Sequence, residues 1–223
     1  MSSESASNSA APLAVTFARP EESRAFRRKL GSVQKGKCGT LTAWRGSIGK
    51  IAVTVIHTGI GPASTERAIR ELIAHEKPRH VISSGFAGGL DPALHAGDTL
   101  TADFPTTLIF SKAIPLETPA EKIAVFRETG ARIVDMETNV IGAACTSANV
   151  RLTTVRAVSD SADESLPVPF GVWFDTARQR ARPLALIAHL LLHPSHIAPF
   201  TRFVLRLPRV AEALAQAIAA ALR

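Results

Sequence analysis

Val134-Asp135-Met136-Glu137 leads into Thr138 to Ala148, and Arg151-Leu152-Thr153-Thr154-Val155-Arg156-Ala157-Val158 ends on Ser159-Asp160; the reading of this stretch decides the fold class. The small and apolar residues of Thr138 to Ala148 suit a buried helix, and the β-branched run from Arg151 suits a strand. Arg132 to Val134 reads as a further strand entering the segment. Strand, helix and strand in succession form an α/β unit. In an open α/β sheet ligands gather beyond the carboxyl ends of the strands, which is where Glu137 and Asp160 are expected to lie, converging on one crevice.

Upstream elements extend the pattern. Leu13 to Phe17 reads as a buried strand, and Pro20-Glu21-Glu22 opens a helix running to Leu30, with proline and acids where the helix dipole favours them. Gly31 to Gly39 reads as a turn-rich connector. Thr40 to Trp44 and Lys50 to His57 form a hairpin-like pair, Gly59 and Gly61 mark a junction, and Ala63 to His75 carries Ala68, Ile69, Leu72 and Ile73 at helical spacing. Val81-Ile82 is a short strand. Asp98 to Ala102 and Leu108 to Ser111 are further strands, and Ala120 to Glu128 a helix. Pro183 to Leu192 and Val210 to Leu222 are apolar or amphipathic helices separated by the break His193-Pro194-Ser195-His196.

The bulk properties narrow the classes. The 223 residues suit one domain over 13–223, preceded by a Ser/Ala-rich disordered tail over 1–12 that lacks the basic start and apolar run of a secretory signal. No run of about 18–20 apolar residues reads as a membrane span. Cys38 and Cys145 are far apart and expected to be reduced, which with the absent leader points to the cytoplasm. The seven histidines show no zinc spacing, so no metal is assigned. The net charge of +7 raises the question of RNA or an anionic surface, but it is mostly scattered arginine without a nucleic-acid motif, so nucleic acid is not the expected partner.

Two separated motifs then carry a resemblance. Val134-Asp135-Met136-Glu137, followed nineteen residues after the glutamate by Arg156-Ala157-Val158-Ser159-Asp160, and Ser84-Gly85-Phe86-Ala87-Gly88-Gly89 followed by Gly97-Asp98, resemble the nucleoside phosphorylase and methylthioadenosine/S-adenosylhomocysteine nucleosidase superfamily. His57-Thr58-Gly59-Ile60-Gly61 is similar to the Gly-Ile-Gly turn of that group. The resemblance implies a three-layer α/β/α fold around a mixed twisted sheet, and cleavage of the N-glycosidic bond of a purine nucleoside or 5′-modified adenosine without an organic cofactor. It further implies a homodimer. The thirty-seven residues between Asp98 and Met136 form a shorter run than in nucleosidases of the group, one that there adds a helix and a strand touching the base.

The resemblance also assigns roles. Asp160 would be the acid at purine N7, with Ser159 orienting its carboxyl; taken alone, Asp160 reads first as a helix cap. Glu137 would accept hydrogen bonds from the ribose hydroxyls, and Met136 would pack under the sugar; alone they read as a favourable charge at a helix start and a core residue. Glu22 would activate water, with Glu21 beside it as a competitor, and its presence favours hydrolysis. Arg156, within a strand, needs a carboxylate partner and is expected to brace Glu137. Gly85, Ala87 and Gly88 would form a glycine-rich turn whose amides hold an anion or water. Phe86 stands where relatives have Ser or Thr, which disfavours phosphate as the nucleophile. Phe170 would stack on the base, with Trp173 and Phe174 as competitors nearby; taken alone, each of the three reads at least as well as core packing.

Three other readings stay open: phosphorolysis by inorganic phosphate, a noncatalytic nucleoside-binding protein, and an RNA-binding module. Within the superfamily the Leu/Arg-rich tail from Pro183 to Arg223 and the short middle look most like the hopanoid-biosynthesis-associated phosphorylases, which act on adenosylhopane. A lipid substituent of that kind implies an open apolar 5′ pocket and peripheral contact with a membrane.

Overall fold

The computed structural model describes residues 12–223; the tail expected over 1–12 falls, apart from Pro12, outside them. Eleven strands and seven helices follow in order. They are β1 Leu13–Phe17, α1 Pro20–Arg27, β2 Gly31–Cys38, β3 Leu41–Ile48, β4 Ile51–His57, α2 Pro62–Glu76, β5 His80–Gly89, β6 Thr99–Asp103 and β7 Ile109–Ser111. The remainder are α3 Pro119–Thr129, β8 Ile133–Asp135, α4 Thr138–Ser147, β9 Arg151–Asp160, α5 Phe170–Trp173, β10 Phe174–Asp175, β11 Arg180–Ala181, α6 Pro183–Leu192 and α7 Ile197–Ala221.

Nine strands make one mixed sheet. Its path runs β2-β3-β4-β1-β5-β8-β7, with β9 on the other side of β5 and β6 beyond β9. β4, β1, β5 and β9 are parallel neighbours. All five residues of β1 are buried, as expected of a strand covered on both faces. Alternation sorts them: Leu13, Val15 and Phe17 join Phe26, Val55, Ile82, Leu214 and Ile218 under α1 and α7, while Ala14 joins Ile56, Ile69, Leu72, Val81 and Ile141 under α2 and α4. These two cores make the three layers. Each large side chain fully buried here contributes roughly 1.5–3 kcal/mol of transfer free energy.

The crevice follows from strand lengths. β5 pairs with β1 only as far as Ser83, yet continues to Gly89 and there takes β8 as an antiparallel neighbour through Gly88 and Gly89. Gly88 is also in register with Asp160 of β9, so β8 lies on the edge of β5 that β1 has vacated. The gap between the end of β1 and the start of β8 is the switch point at which such sheets bind ligands.

Two expectations are corrected. Gly31 to Gly39 is not a connector: Gly31–Cys38 is an edge strand, antiparallel to β3 with a register shift between Gly31 and Gln34. Its outward residues include Lys35 and Lys37, and an exposed edge needs no apolar alternation, so the periodic signal was missing. Gly85 to Gly88 is likewise not a turn but the second half of β5. Gly88 answers crowding rather than chain reversal. A Cβ on Gly88 would lie 3.1 Å from Val134 Cγ1 and 3.4 Å from Asp160 Oδ2, and one on Gly85 would lie 3.4 Å from Glu22 Oε1.

Candidate active site

A cavity of about 350 Å³ opens at this gap, and its lining includes Glu22, Phe86, Ala87, Gly88, Met136, Glu137, Ser159, Asp160 and Phe170. Residues far apart in sequence thus meet as the motif spacing implied. Gly85 stands just behind, against the Glu22 carboxylate, and Arg156 lies beneath the floor rather than on it.

Asp160 is the last residue of β9 and 3% exposed. No helix begins behind it, so the capping alternative falls: the next helix, α5, starts at Phe170. Its Oδ1 accepts from Ser159 Oγ at 2.5 Å. Its Oδ2 is 2.5 Å from Lys122 Nζ, a side chain that is itself wholly buried. Lys122 donates as well to the carbonyls of Ser161 at 2.8 Å and Glu164 at 2.7 Å, so its three N–H groups have three acceptors. Sequence reading missed this residue. It lies on α3, whose capping box at Thr118 and Glu121 marks the start of an ordinary helix and gives no hint that the next position points inward.

Glu137 occupies the N-cap position of α4 without capping it; Asp135 performs that task, accepting from the Thr138 amide and hydroxyl. The Glu137 carboxylate instead accepts from Gly61 N–H at 3.3 Å, at the amino end of α2, where the helix dipole favours negative charge. Its pKa is nonetheless pushed up to about 7, first by burial, then by the nearby Asp135 carboxylate, with Glu22 adding to it and Arg156 opposing. The loop holding Gly61 is clamped by Gln179, which accepts from Ile60 N–H at 2.8 Å and donates to Ile60 O at 2.6 Å. Gly59 and Gly61 have φ of +77° and +87°, a region closed to most residues, which accounts for both glycines.

Arg156 does not brace Glu137. Its Nη2 and Nε lie 2.6 and 2.9 Å from Asp135 Oδ2, and Nη2 also reaches Ser83 Oγ at 3.0 Å. A buried guanidinium takes the carboxylate that can meet it with several donors at once. Asp135 thereby pins β8 and α4 to β9, and Glu137 is left facing the cavity.

Glu22 lies in the first turn of α1, buried, with Oε2 accepting from Arg19 N–H at 3.0 Å and Oε1 from Phe86 N–H at 3.2 Å. Burial pushes its pKa up against those two bonds. Glu21 also lies on the cavity lining, but its carboxylate is exposed and paired with Arg19. The Phe86 amide is therefore committed to Glu22, and β5 is paired through Gly89, so this backbone does not present the open amide cradle expected of a turn. Phe170 packs edge-on against Trp173, with ring centroids 4.9 Å apart, and both line the cavity; Phe174 is buried behind them. The two cysteine thiols are buried and their pKa values pushed up to about 11 and 12, so neither is a nucleophile.

The lining has two characters. Glu22, Glu137, Ser159 and Asp160 contribute polar groups, whereas Leu186 of α6 and Phe200, Phe203, Val204 and Leu207 of α7 contribute an apolar wall. Among the described residues the one basic side chain on its lining is Arg19, which is engaged by Glu21. The described residues contain no cluster of three or more His, Cys, Asp or Glu side chains that could hold a metal ion.

Comparison with known proteins places this mixed sheet and its switch-point crevice in a family. The family model described as the phosphorylase superfamily matches residues 12–104 and 104–191, and the chain belongs to that superfamily. Among solved structures, the 5′-methylthioadenosine/S-adenosylhomocysteine nucleosidase of Neisseria meningitidis, in complex with methylthio-immucillin-A, superposes with a TM-score of 0.68 at 19% identity, over 94% of this chain and 97% of that one. A mutant of the Helicobacter pylori nucleosidase, with 5′-methylthioadenosine in its active site, gives 0.68 at 16% identity, over 93% and 96%. A futalosine hydrolase mutant of Helicobacter pylori gives 0.60 at 18% identity, over 70% and 90%. At these identities the likeness is one of fold.

Proposed function

We propose that the protein hydrolyses the N-glycosidic bond of a purine nucleoside carrying a bulky apolar group at the 5′ position. The observation that carries the reading is one cavity whose lining combines the side chains of Glu22, Glu137, Ser159 and Asp160 with leucine and phenylalanine from α6 and α7. Breaking this bond leaves positive charge on the sugar and negative charge on the departing base. The catalyst must supply a proton or donor at the base and negative charge near the ribose. Asp160, oriented by Ser159 and Lys122, serves the base. Glu137 accepts from the ribose hydroxyls with Met136 beneath the ring, Glu22 takes a proton from the attacking water, and Phe170 and Trp173 flank the base.

Hydrolysis is preferred to phosphorolysis on electrostatic grounds. A phosphate dianion entering beside Glu22 and Glu137 would meet two carboxyls, and the basic side chain nearest to hand by sequence, Arg156, is consumed by Asp135. The apolar wall supports a lipid-like 5′ group, for which adenosylhopane, the substrate implied by the family resemblance, is one instance. A homodimer is part of the proposal, to be checked by sedimentation. The test of the chemistry is free-base release with and without inorganic phosphate: equal rates are expected, and a rate that needs phosphate would replace hydrolysis by phosphorolysis.

A further inference from the structure

We propose that the α6–α7 corner, which contributes the apolar wall of the cavity, is a docking surface for an anionic phospholipid bilayer. The inference rests on the proposed function only in explaining why a lipid-like substrate would enter there; the surface itself is argued independently.

The first observation is exposure. α6 has no buried residue, although its sequence Pro183-Leu184-Ala185-Leu186-Ile187-Ala188-His189-Leu190-Leu191-Leu192 is apolar on every side. Leu184, Leu191 and Leu192 are 80%, 73% and 77% exposed, and Leu205 of α7 is 71% exposed. α7 is built in two halves. Val210, Ala211, Leu214, Ala215 and Ile218 are buried and root its carboxyl half in the core, whereas the half before Pro208 buries nothing. The two helices meet at 111°. One side of the corner lines the cavity, and the other presents leucine to solvent.

The second observation is charge. From Thr176 to Ala211 there is no Asp or Glu in 36 residues, but there are six arginines and three histidines. Arg180, Arg182, Arg202 and Arg209 are exposed and form no ion pair among the described residues. Exposed leucines flanked by arginines with no balancing acid suit a helix lying in the headgroup plane of an anionic leaflet, with the arginine stems reaching toward phosphate. No single helix here is long and apolar enough to cross a membrane, and interfacial seating requires none. A second copy is the poorer occupant. A two-fold contact would set this acid-free surface against itself, bringing arginine to arginine without a carboxylate between them.

The test is flotation of the full chain with vesicles of phosphatidylcholine alone or with 30% phosphatidylglycerol, in low and high salt. Binding is expected to the mixed vesicles, to weaken in high salt, and to be lost in L184E/L191E. The variant R202A/R209A is expected to partition roughly thirtyfold less, from about fivefold per arginine at the surface. None of these four side chains lines the cavity, so base release from a water-soluble nucleoside is expected to stay at the wild-type rate. Failure of the wild type to float, flotation that ignores both variants, or a dimer in sedimentation that L184E/L191E abolishes would overturn the proposal. Flotation without base release from any nucleoside would remove the proposed function and leave the docking surface standing.

Discussion

Lys122 Nζ and Asp160 Oδ2 are 2.5 Å apart at a place neither shares with solvent, so the carboxylate proposed to act on the base has a permanent cationic neighbour supplied by α3. The short run between β6 and β8 thus still contributes to the site, from beneath. The pair ties the loop after β9 to α3 through the Ser161 and Glu164 carbonyls, and with Ser159 Oγ on Oδ1 it fixes the orientation of the carboxyl group.

Removing one member of such a pair leaves a buried uncompensated charge. Lys122→Met is expected to destabilise the fold by about 3–5 kcal/mol, measured by urea unfolding. Asp160→Asn added to it should recover part of that loss, because the stranded charge is then gone. Additive losses in the double variant would show that the two side chains do not act as a pair.

Glu137 makes stability depend on pH in an unusual direction. Its folded pKa of about 7 lies above the ordinary carboxylate value of 4.5, so the folded state binds the proton more tightly than the unfolded one. That contribution is fully present below about pH 4.5 and is lost as pH rises through 7. Glu137→Gln is therefore expected to be more stable than wild type at pH 8, by roughly 3 kcal/mol for a shift of this order, with the difference vanishing near pH 4. Thermal melts across pH 4–8 check it, and a constant difference would contradict the raised pKa.

Glu22 and Glu137 should separate kinetically. Loss of a proton acceptor acts on the chemical step, so Glu22→Gln is expected to lower kcat by about 10²–10⁴-fold with little change in KM. Glu137→Gln should raise KM as well, since it holds the ribose before and during bond breaking. Initial-rate measurements on one nucleoside would distinguish them, and identical effects on both constants would erase the division of roles.

The apolar wall is expected to act on the 5′ group alone. Phe203→Ser should weaken a nucleoside with a long alkyl 5′ substituent by about 1–3 kcal/mol in kcat/KM while leaving adenosine nearly unchanged. Competition kinetics with the two substrates reads this directly, and equal losses would place Phe203 outside the 5′ pocket.

The α/β class was legible because β1 is a short, mostly apolar run, β9 is rich in β-branched residues, α2 carries helical spacing and α4 is small and apolar throughout. Glu137 and Asp160 were legible because each ends such an element at the sheet edge where ligands gather. The partners of these groups were not. Lys122 lies thirty-eight residues from Asp160, and nothing local distinguishes it from a solvated helix lysine. Arg156 was read as needing a carboxylate, but Asp135 and Glu137 are two positions apart, and only the backbone path out of β8 decides between them. The strand character of Gly85–Gly89 was hidden for a related reason: glycine signals a turn locally, whereas here it admits Glu22 and Asp160 close to the backbone. Gln179, which clamps the Gly59–Gly61 loop across 119 residues, has no sequence signature at all.

The most direct test is chromatographic measurement of adenine released from a 5′-alkylthioadenosine by the wild type and by Asp160→Asn. Release by the wild type, reduced at least about a hundredfold in Asp160→Asn while Kd for the nucleoside changes little, is the expected result. Undiminished release by Asp160→Asn, or binding by the wild type with no release at all, would contradict the assignment of this cavity as a glycosidic-bond-cleaving site.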